Sequence, residues 1–287
     1  NKYMKYNIVI ISPKTWIHHS AVNEVVLYFY FMIKKKVDVQ ISFNQIDFDR
    51  INIIFFAWNL PKDAIIPDNS IIFQSEDLDR STGWMLEGER GSKYVELLNK
   101  YKVIDYAEFN LQSDIIKHQN KKFLPLLFCE ELQFKFKREN RDYLLFYGML
   151  TEHRKNFLNK IKKYDVKILD ASECWNYSYN RDLSIAQSKA ILNIHKTDKI
   201  SKFQSVRCFY SLINNVPVVT QKFQISDKKD YYQESVNILD DLSLESTEKI
   251  INDLKDEIKQ KKKLELFKSY DSKKIFFECL DTLNDLK

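Results

Sequence analysis

The chain has 287 residues, enough for one large or two ordinary domains that each bury a core. Hydrophobic residues make up 44% and charged residues 30%, which is typical of a globular protein. The net charge of +5 comes from interspersed residues, whereas a dedicated nucleic-acid binder is usually more basic and more clustered. No apolar run approaches the ~20 residues of a membrane span, and no signal peptide precedes the first strand, so we expect a cytoplasmic protein.

The cysteines give no sign of a metal centre or a disulfide framework. They lie far apart, at Cys129, Cys174, Cys208 and Cys279, and form no CxxC or Cys/His pattern. We expect them to be buried and reduced.

The first half of the chain reads as an open α/β sheet. Short apolar runs at residues 6–12, 37–41, 51–58 and 70–74 predict strands that are buried on both faces. Ser20 is a plausible N-cap for a helix that ends near Lys35. A helix over 93–99, a strand over 102–104 and an apolar run over 123–128 complete this half.

Titratable side chains follow several of these strands. His18 and His19 come after the first strand, Glu76 after the fourth and Asp105 at the end of the fifth. Carboxyl ends of parallel strands are where catalytic groups are placed, but histidines can equally solvate a loop and Asp105 can equally cap a helix. Asp77-Leu78-Asp79 is a DxD triplet, which could hold a divalent metal through carboxylate oxygens.

A charged connector over residues 130–141 separates this half from a second α/β half. Strands are predicted at 143–147, 166–169, 190–194, 216–220 and 237–239, and helices at 180–187, 203–212 and 245–267. Gly148, the only glycine of the second half, follows the first of these strands and lets a ligand approach the backbone. The last helix, 271–286, places Ile275, Phe276, Cys279, Leu280 and Leu283 on one face.

Residues 189–221 form one strand–loop–helix–strand unit. In such a unit the ligand side is the loop after the first strand together with the helix N-terminus. That loop carries His195, Lys196, Lys199 and Lys202, and Arg207 sits one turn into the helix. A helix N-terminus surrounded by cations favours a phosphate group.

These segments resemble bacterial GT-B nucleotide-sugar glycosyltransferases of the surface-polysaccharide and glycoconjugate type, with a donor domain similar to glycosyltransferase families 4 and 1. The matching residues of the donor half are Asn193-Ile194-His195, Phe203-Gln204-Ser205-Val206-Arg207, Val216-Pro217-Val218-Val219, and Phe146-Tyr147-Gly148 with Arg154. Those of the first half are His19, Ser20 and Glu24, then Glu76, then Asp105-Tyr106 with Asn110. One departure is Gln204, which stands where the family has a glutamate that in many members holds the donor ribose.

The resemblance implies two Rossmann-like domains facing a cleft: an acceptor domain over 1–130, a donor domain over 140–265, and a C-terminal helix over 266–287 that crosses back to the first domain. It implies that the donor is bound by Gly148, Arg154, His195, Lys202, Gln204, Ser205 and Arg207. The acceptor-side candidates are Ser20, Glu24 and Asp105. His19 is the first choice for a catalytic base and Glu76 the second.

The same resemblance implies transfer of a sugar from a nucleotide-sugar to a glycan or glycoconjugate hydroxyl without metal or other cofactor. Nucleic acid is not an expected partner. The basic run 259–263 could touch the inner face of the membrane or form a solvated helix face. Two alternatives stay open: a metal-dependent GT-A-like transferase that uses Asp77 and Asp79, and a non-catalytic GT-B-fold binding protein, for which Gln204 is the best support.

Overall fold

The computed structural model describes residues 4–13, 16, 18–79, 84–136, 138, 143–170, 178–225 and 229–285. Their contacts divide the chain into two units. The first unit comprises Asn1–Leu126 together with Asp271–Lys287, and the second comprises Leu127–Tyr270. Cys174 and part of the predicted connector, residues 137 and 139–141, lie outside the described residues.

The first unit contains a six-stranded, all-parallel sheet in the order β2-β1-β3-β4-β5-β6. The strands are β1 Lys5–Ile10, β2 Asp38–Phe43, β3 Ile51–Phe55, β4 Ile71–Gln74, β5 Lys102–Asp105 and β6 Lys121–Phe123. Helices α1 Asn23–Lys34, α2 Gly88–Lys100 and α3 Glu108–Gln112 follow strands. Central strands covered on both faces need the continuous apolar runs seen in the sequence.

The second unit contains a five-stranded parallel sheet in the order β11-β10-β9-β7-β8. The strands are β7 Leu144–Gly148, β8 Val166–Asp170, β9 Ala190–Asn193, β10 Val218–Thr220 and β11 Asn237–Ile238. The helices are α4 Glu152–Lys160, α5 Ser178–Gln187, α6 Ser205–Ile213, α7 Leu244–Asp253 and α8 Glu257–Ser269. Its core joins Phe146 of β7 and Phe157 of α4 to Leu192 of β9.

Helix α9, Ser272–Asp285, returns to the first unit. The ring of Phe276 is fully buried and contacts Tyr28 and Phe29 of α1 at centroid distances of 5.7 and 5.3 Å. Asn284 Nδ2 donates to the hydroxyl of Tyr6 on β1 over 2.7 Å. The predicted α/β class of two Rossmann-like domains, with a last helix packed on the first, is confirmed.

Three local predictions are wrong, each because of the local structure at one position. Ser20 is not the N-cap of α1, because His18–Val22 form a 3-10 turn and α1 begins after Val22. The strand predicted to reach Trp58 stops at Phe55, since Phe56 adopts a left-handed φ of 61°. The long helix over 245–267 is two helices, because the side chain of Asp256 caps α8 by accepting from the backbone N–H of Lys259.

Candidate functional site

The site in the second unit lies where strands β7, β9 and β10 end. Gly148 closes β7, His195 follows β9, and Gln221 follows β10. Parallel strands present their carboxyl ends at one edge of the sheet, so the three loops meet there. The amide of Gln221 links two of them, since its Oε1 accepts from the backbone N–H of His195 at 3.1 Å.

Gly148 makes room for an arginine. Its φ of +136° is one that residues with a side chain rarely adopt. A Cβ built on Gly148 would stand 3.0 Å from Arg207 Nη2. The glycine therefore lets the guanidinium of Arg207, from the first turn of α6, lie against the end of β7.

Arg154 occupies the first turn of α4, which Thr151 caps by accepting from the Arg154 backbone N–H. The Arg154 side chain is only 5% exposed and donates to three backbone carbonyls: those of Met149, Ile194 and His195, at 2.7, 3.0 and 3.2 Å. Burial first, and the charge of Arg207 second, lower the pKa of Arg154 to about 9. Arg154 thus joins the loops after β7 and β9, a contact that the sequence motif did not predict, and its charge has no acidic partner among the described residues.

Arg207 is the clearest unsatisfied group of this edge. Its Nη1 is buried and has no hydrogen-bond partner among the described residues, and the same holds for Ser205 Oγ at the start of α6. The guanidinium groups of Arg154 and Arg207 lie 5.5 and 5.9 Å from the ring centroid of Phe146. Neither arginine has an ion pair with a carboxylate of the described chain, so two cations share one ring without a counter-anion.

His195 is held as a neutral ring. It is 2% exposed, and its Nε2 lies 2.6 Å from the carbonyl of Lys222, which can only accept, so Nε2 carries the proton. Burial, the largest cause, lowers the pKa of His195. Its Nδ1 is buried and has no partner among the described residues. His195 can therefore offer a lone pair but resists becoming a cation.

The remaining predicted donor residues lie on the approach to α6. Lys202 is buried and its backbone forms an isolated bridge with Gln224. Gln204 is the N-cap residue of α6, but its side chain does not cap the helix. The structure thus brings all seven predicted donor residues to the loops and helix starts of one sheet edge.

In the first unit, His19 is oriented by the loop after β1. Its Nδ1 lies 3.0 Å from the carbonyl of Trp16 and 3.1 Å from Ser12 Oγ. Because that carbonyl can only accept, Nδ1 carries the proton in the neutral ring and Nε2 keeps its lone pair. Asn44 in turn fixes Ser12 by bonding both its N–H and its carbonyl at 2.7 Å.

Glu76 and Asp105 belong to a polar network at the ends of β4 and β5. Asp105 is 0% exposed, and its carboxylate accepts from Gln74 Nε2, Asn110 Nδ2 and the backbone N–H of Ala107. Glu76 is half-buried, and its backbone carbonyl accepts from Gln74 and Asn110. Burial and the two carboxylates raise the pKa of Tyr94, whose hydroxyl donates to Gln74.

The structure gives the other first-unit candidates different settings. Asp105 fixes the end of β5 and has no surface with which to meet an acceptor. Ser20 is half-buried in the 3-10 turn beside His19, and Glu24 is 7% exposed in the first turn of α1. Asp77 uses its Oδ1 to accept from the Asp79 backbone N–H. Among the described residues, no group of three or more His, Cys, Asp or Glu side chains could hold a metal ion.

Sequence reasoning gave no positioning role to four residues that hold these groups in place: Ser12, Asn44, Gln221 and Tyr147, of which Tyr147 belongs to a matching motif. Tyr147 OH donates to the carbonyl of Arg207 over 2.6 Å and ties α6 to β7. Their signal was weak, because a polar residue at a strand end is also an ordinary loop residue. Only Asn44 has a recognisable feature, a left-handed φ of 54° that asparagine tolerates better than most residues.

The two parallel-sheet Rossmann-like units, with a terminal helix returned to the first, define the GT-B fold. An alpha-glucosyltransferase solved with UDP and a 13-mer DNA containing an HMU base matches with a TM-score of 0.65 and 13% identity, covering 97% of this chain and 99% of the other. HepE from Anabaena, solved with UDP, matches with a TM-score of 0.54 and 11% identity, covering 99% of this chain and 100% of HepE. WaaG, a glycosyltransferase involved in lipopolysaccharide biosynthesis, matches with a TM-score of 0.53 and 8% identity, covering 98% of this chain and 100% of WaaG.

The relatives found by sequence come from Acanthamoeba polyphaga mimivirus. Uncharacterized protein R358 is 26% identical over 136 residues, or 47% of this chain and 46% of R358. Uncharacterized protein L140 is 22% identical over 193 residues, or 63% of this chain and 59% of L140. The chain thus spans less than two thirds of these relatives. No family model matches the sequence. Within the described residues, no helix is both long and apolar enough to cross a membrane.

Proposed function

We propose that this protein is a glycosyltransferase that moves a sugar from a nucleotide-sugar to a hydroxyl of a glycan or glycoconjugate, without a metal ion. The observation that carries the proposal is the unpartnered, buried Nη1 of Arg207 beside the equally unbalanced Arg154, at the start of α6. Two guanidinium groups and a helix N-terminus are the groups that bind a diphosphate. The GT-B fold supports the same assignment.

Five of the seven donor residues contact the donor directly in this proposal. Arg207 and Arg154 neutralise the diphosphate and stabilise the charge that develops on it as the sugar leaves. Ser205 Oγ donates to a phosphate oxygen. Gln204 hydrogen-bonds the ribose as a neutral amide, and His195 offers its Nδ1 lone pair to a hydroxyl of the donor.

His19 is the proposed base for an inverting transfer. Its Nε2, left unprotonated by the bond at Nδ1, would take the proton of the acceptor hydroxyl. Glu76 is the second choice. The need for metal is tested by adding a chelator: unchanged transfer supports the proposal, and abolished transfer favours a metal-dependent enzyme. The GT-B fold already argues against the GT-A alternative built on Asp77 and Asp79.

The test of the donor site is calorimetric titration with UDP, GDP and dTDP. In the Arg207→Ala variant the preferred nucleotide should bind about 1.5–3 kcal/mol more weakly, the range for hydrogen bonds to charged groups. Arg50→Ala is the control, because it removes a guanidinium that pairs with Asp38 in the first unit. Equal affinities in Arg207→Ala and the wild type would show that Arg207 has a structural role.

Two further outcomes separate the remaining possibilities. Nucleotide binding without hydrolysis or transfer would favour the non-catalytic binding protein for which Gln204 argues. The acceptor is tested by supplying an oligosaccharide or an HMU-containing DNA, because the similar solved enzymes include one bound to such DNA and one of lipopolysaccharide biosynthesis. Transfer to the oligosaccharide alone supports the acceptor class proposed here.

A further inference from the structure

A second cationic site lies in the second unit, at the sheet edge opposite the donor residues. A groove of about 730 Å³ runs past Lys189 and Pro217, which immediately precede β9 and β10. The donor residues follow the same strands. Strand β9 has four residues at ~3.3 Å each, so roughly 13 Å of sheet separates the two edges. The groove is therefore not part of the proposed donor site.

One face of α8 forms a wall of the groove. Its lining residues from Glu257 to Lys268 recur every three or four positions, which is the spacing of a single helical face. The cations that line the groove are Arg138, Lys189, Lys255, Lys261 and Lys268. Two acidic residues, Glu257 and Glu265, also line it, so the groove has an excess of positive charge.

Three of the cations have only uncharged partners in the described chain. Arg138 donates to the carbonyls of Asn215 and Ser188, at 2.5 and 3.1 Å, and its Nε is buried without a partner. Lys268 Nζ donates to Asn215 Oδ1 at 2.6 Å, and Lys255 Nζ donates to Asn252 Oδ1 at 3.0 Å. Among the described residues, these three charges have no counter-anion.

Two lysines near the groove, by contrast, lie in ion pairs. Lys249 of α7 pairs with Asp240 at 3.0 Å, and Lys259 of α8 pairs with Asp253 at 2.8 Å. Within the groove, Lys261 pairs with Glu265 at 3.7 Å. Outside the groove, Lys263 of α8 also donates only to a carbonyl, that of Val236, so the groove differs in gathering three such cations in one place. Burial also lowers the pKa of Arg138 and of Lys268, as expected for cations that lack an anionic partner.

We propose that this groove binds an anionic glycan, a sugar chain bearing sulfate, carboxylate or phosphate groups. The proposal rests on the proposed function for its choice of a sugar chain. No aromatic ring of the described residues lines the groove, whereas single-stranded nucleic acid is usually held by stacked bases. Glu257 and Glu265 can accept from sugar hydroxyls between the anionic groups. A concave groove suits a chain better than it suits a flat bilayer.

The test is titration of the full chain, without a sugar donor, by a sulfated hexasaccharide. The Lys255→Gln/Lys268→Gln variant should bind it about 2- to 30-fold more weakly, the range for two surface ion pairs. The matched control, Lys249→Gln/Lys262→Gln, removes the same charge from helices α7 and α8 outside the groove and should bind as the wild type does. Thermal melting of each variant checks that the fold is kept.

Several results would overturn the proposal: equal loss in both variants, no binding by the wild type, or displacement of the hexasaccharide by UDP. A single-stranded oligonucleotide or phosphatidylserine vesicles could also bind as tightly as the hexasaccharide and lose the same affinity in the groove variant. That result would overturn the proposal too, because the groove would then recognise charge alone. A neutral hexasaccharide should not bind. The two proposals can fail separately. If the donor-site proposal were wrong, the protein would not bind a nucleotide, and its binding of the hexasaccharide would be unchanged.

Discussion

The hydrogen bonds of single side chains determine which atoms could react. The carbonyl of Trp16 fixes the tautomer of His19, and Asn44 fixes Ser12, the second partner of the ring. His18, one residue earlier, is exposed and lies edge-on to the ring of Trp16. The two adjacent histidines therefore have different environments, and the bond at Nδ1 gives His19 the geometry of an oriented base.

We expect His19→Ala to lower the rate of transfer by roughly 10² to 10⁴, the usual contribution of a general base. Donor affinity should stay within a factor of a few, because the change lies outside the unit that carries the donor residues. His18→Ala should have a much smaller effect. Both variants are compared by initial rates at saturating donor and by nucleotide titration.

Full activity in His19→Ala would refute the assignment and make Glu76 the next residue to test. An equal loss in both histidine variants would point to the shape of the loop.

We expect Gly148→Ala to destabilise the protein by roughly 1–3 kcal/mol, the cost of a strained backbone conformation, and to weaken nucleotide binding about tenfold. The added Cβ would displace the Arg207 guanidinium, which lies 3.0 Å away. Gly88→Ala is the matched control: Gly88 also has a positive φ, of 67°, but nothing lies within 4 Å of its added Cβ. It should lose stability and keep nucleotide affinity, as urea unfolding and calorimetry would measure.

The proposed donor-binding residues were easier to predict than the residues that hold them in place. His195, Arg154 and Arg207 could be placed on one sheet edge because each follows a strand or begins a helix. Their hydrogen-bond partners could not be predicted, because those partners lie far away in the sequence. Tyr147 is 60 positions from Arg207, and Gln221 is 26 positions from His195. The neutrality of His195 likewise depends on a carbonyl 27 residues away.

At the scale of elements, continuous apolar runs predicted nearly every strand, since a central strand of a parallel sheet is buried on both sides. Helices were predicted less accurately, because their ends depend on single residues. Lys93 and Asn99 bounded the predicted second helix, whereas α2 extends from Gly88 to Lys100. Helix α3 was missed because its five residues are too few to show a helical period.

Helix α9 should contribute strongly to the stability of the first unit. We expect Phe276→Ala to lower the free energy of unfolding by about 3–5 kcal/mol, since the ring is fully buried against two rings of α1. Glu278→Ala, on the exposed face of the same helix, should change it by no more than about 0.5 kcal/mol. Urea unfolding followed by circular dichroism measures both, and similar values for the two variants would contradict the packing of α9.

For the whole molecule, we expect stability to fall as the pH drops through about 6.5, the ordinary pKa of histidine. Burial lowers the pKa of His195 in the folded protein, so as the pH falls through 6.5 the unfolded chain binds this proton more readily than the folded chain does. Protonation therefore favours unfolding.

The measurement is urea unfolding at pH 5.5 and 7.5. His195→Gln should show a smaller difference between the two pH values than the wild type, because its amide stays neutral and can still donate to the carbonyl of Lys222. The control His18→Gln, at an exposed position, should retain the wild-type difference. If His195→Gln retained it too, other groups would be responsible for the pH dependence.

The return of α9 to the first unit also sets an order of events during synthesis. The 144 residues from Leu127 to Tyr270 leave the ribosome after the six-stranded sheet and before the helix that covers it. At ~5–20 residues per second, the sheet waits roughly 7–30 s with the Phe276 position against Tyr28 and Phe29 unfilled. The second unit therefore has all its residues before the first unit does, although the sheet of the first unit is made earlier.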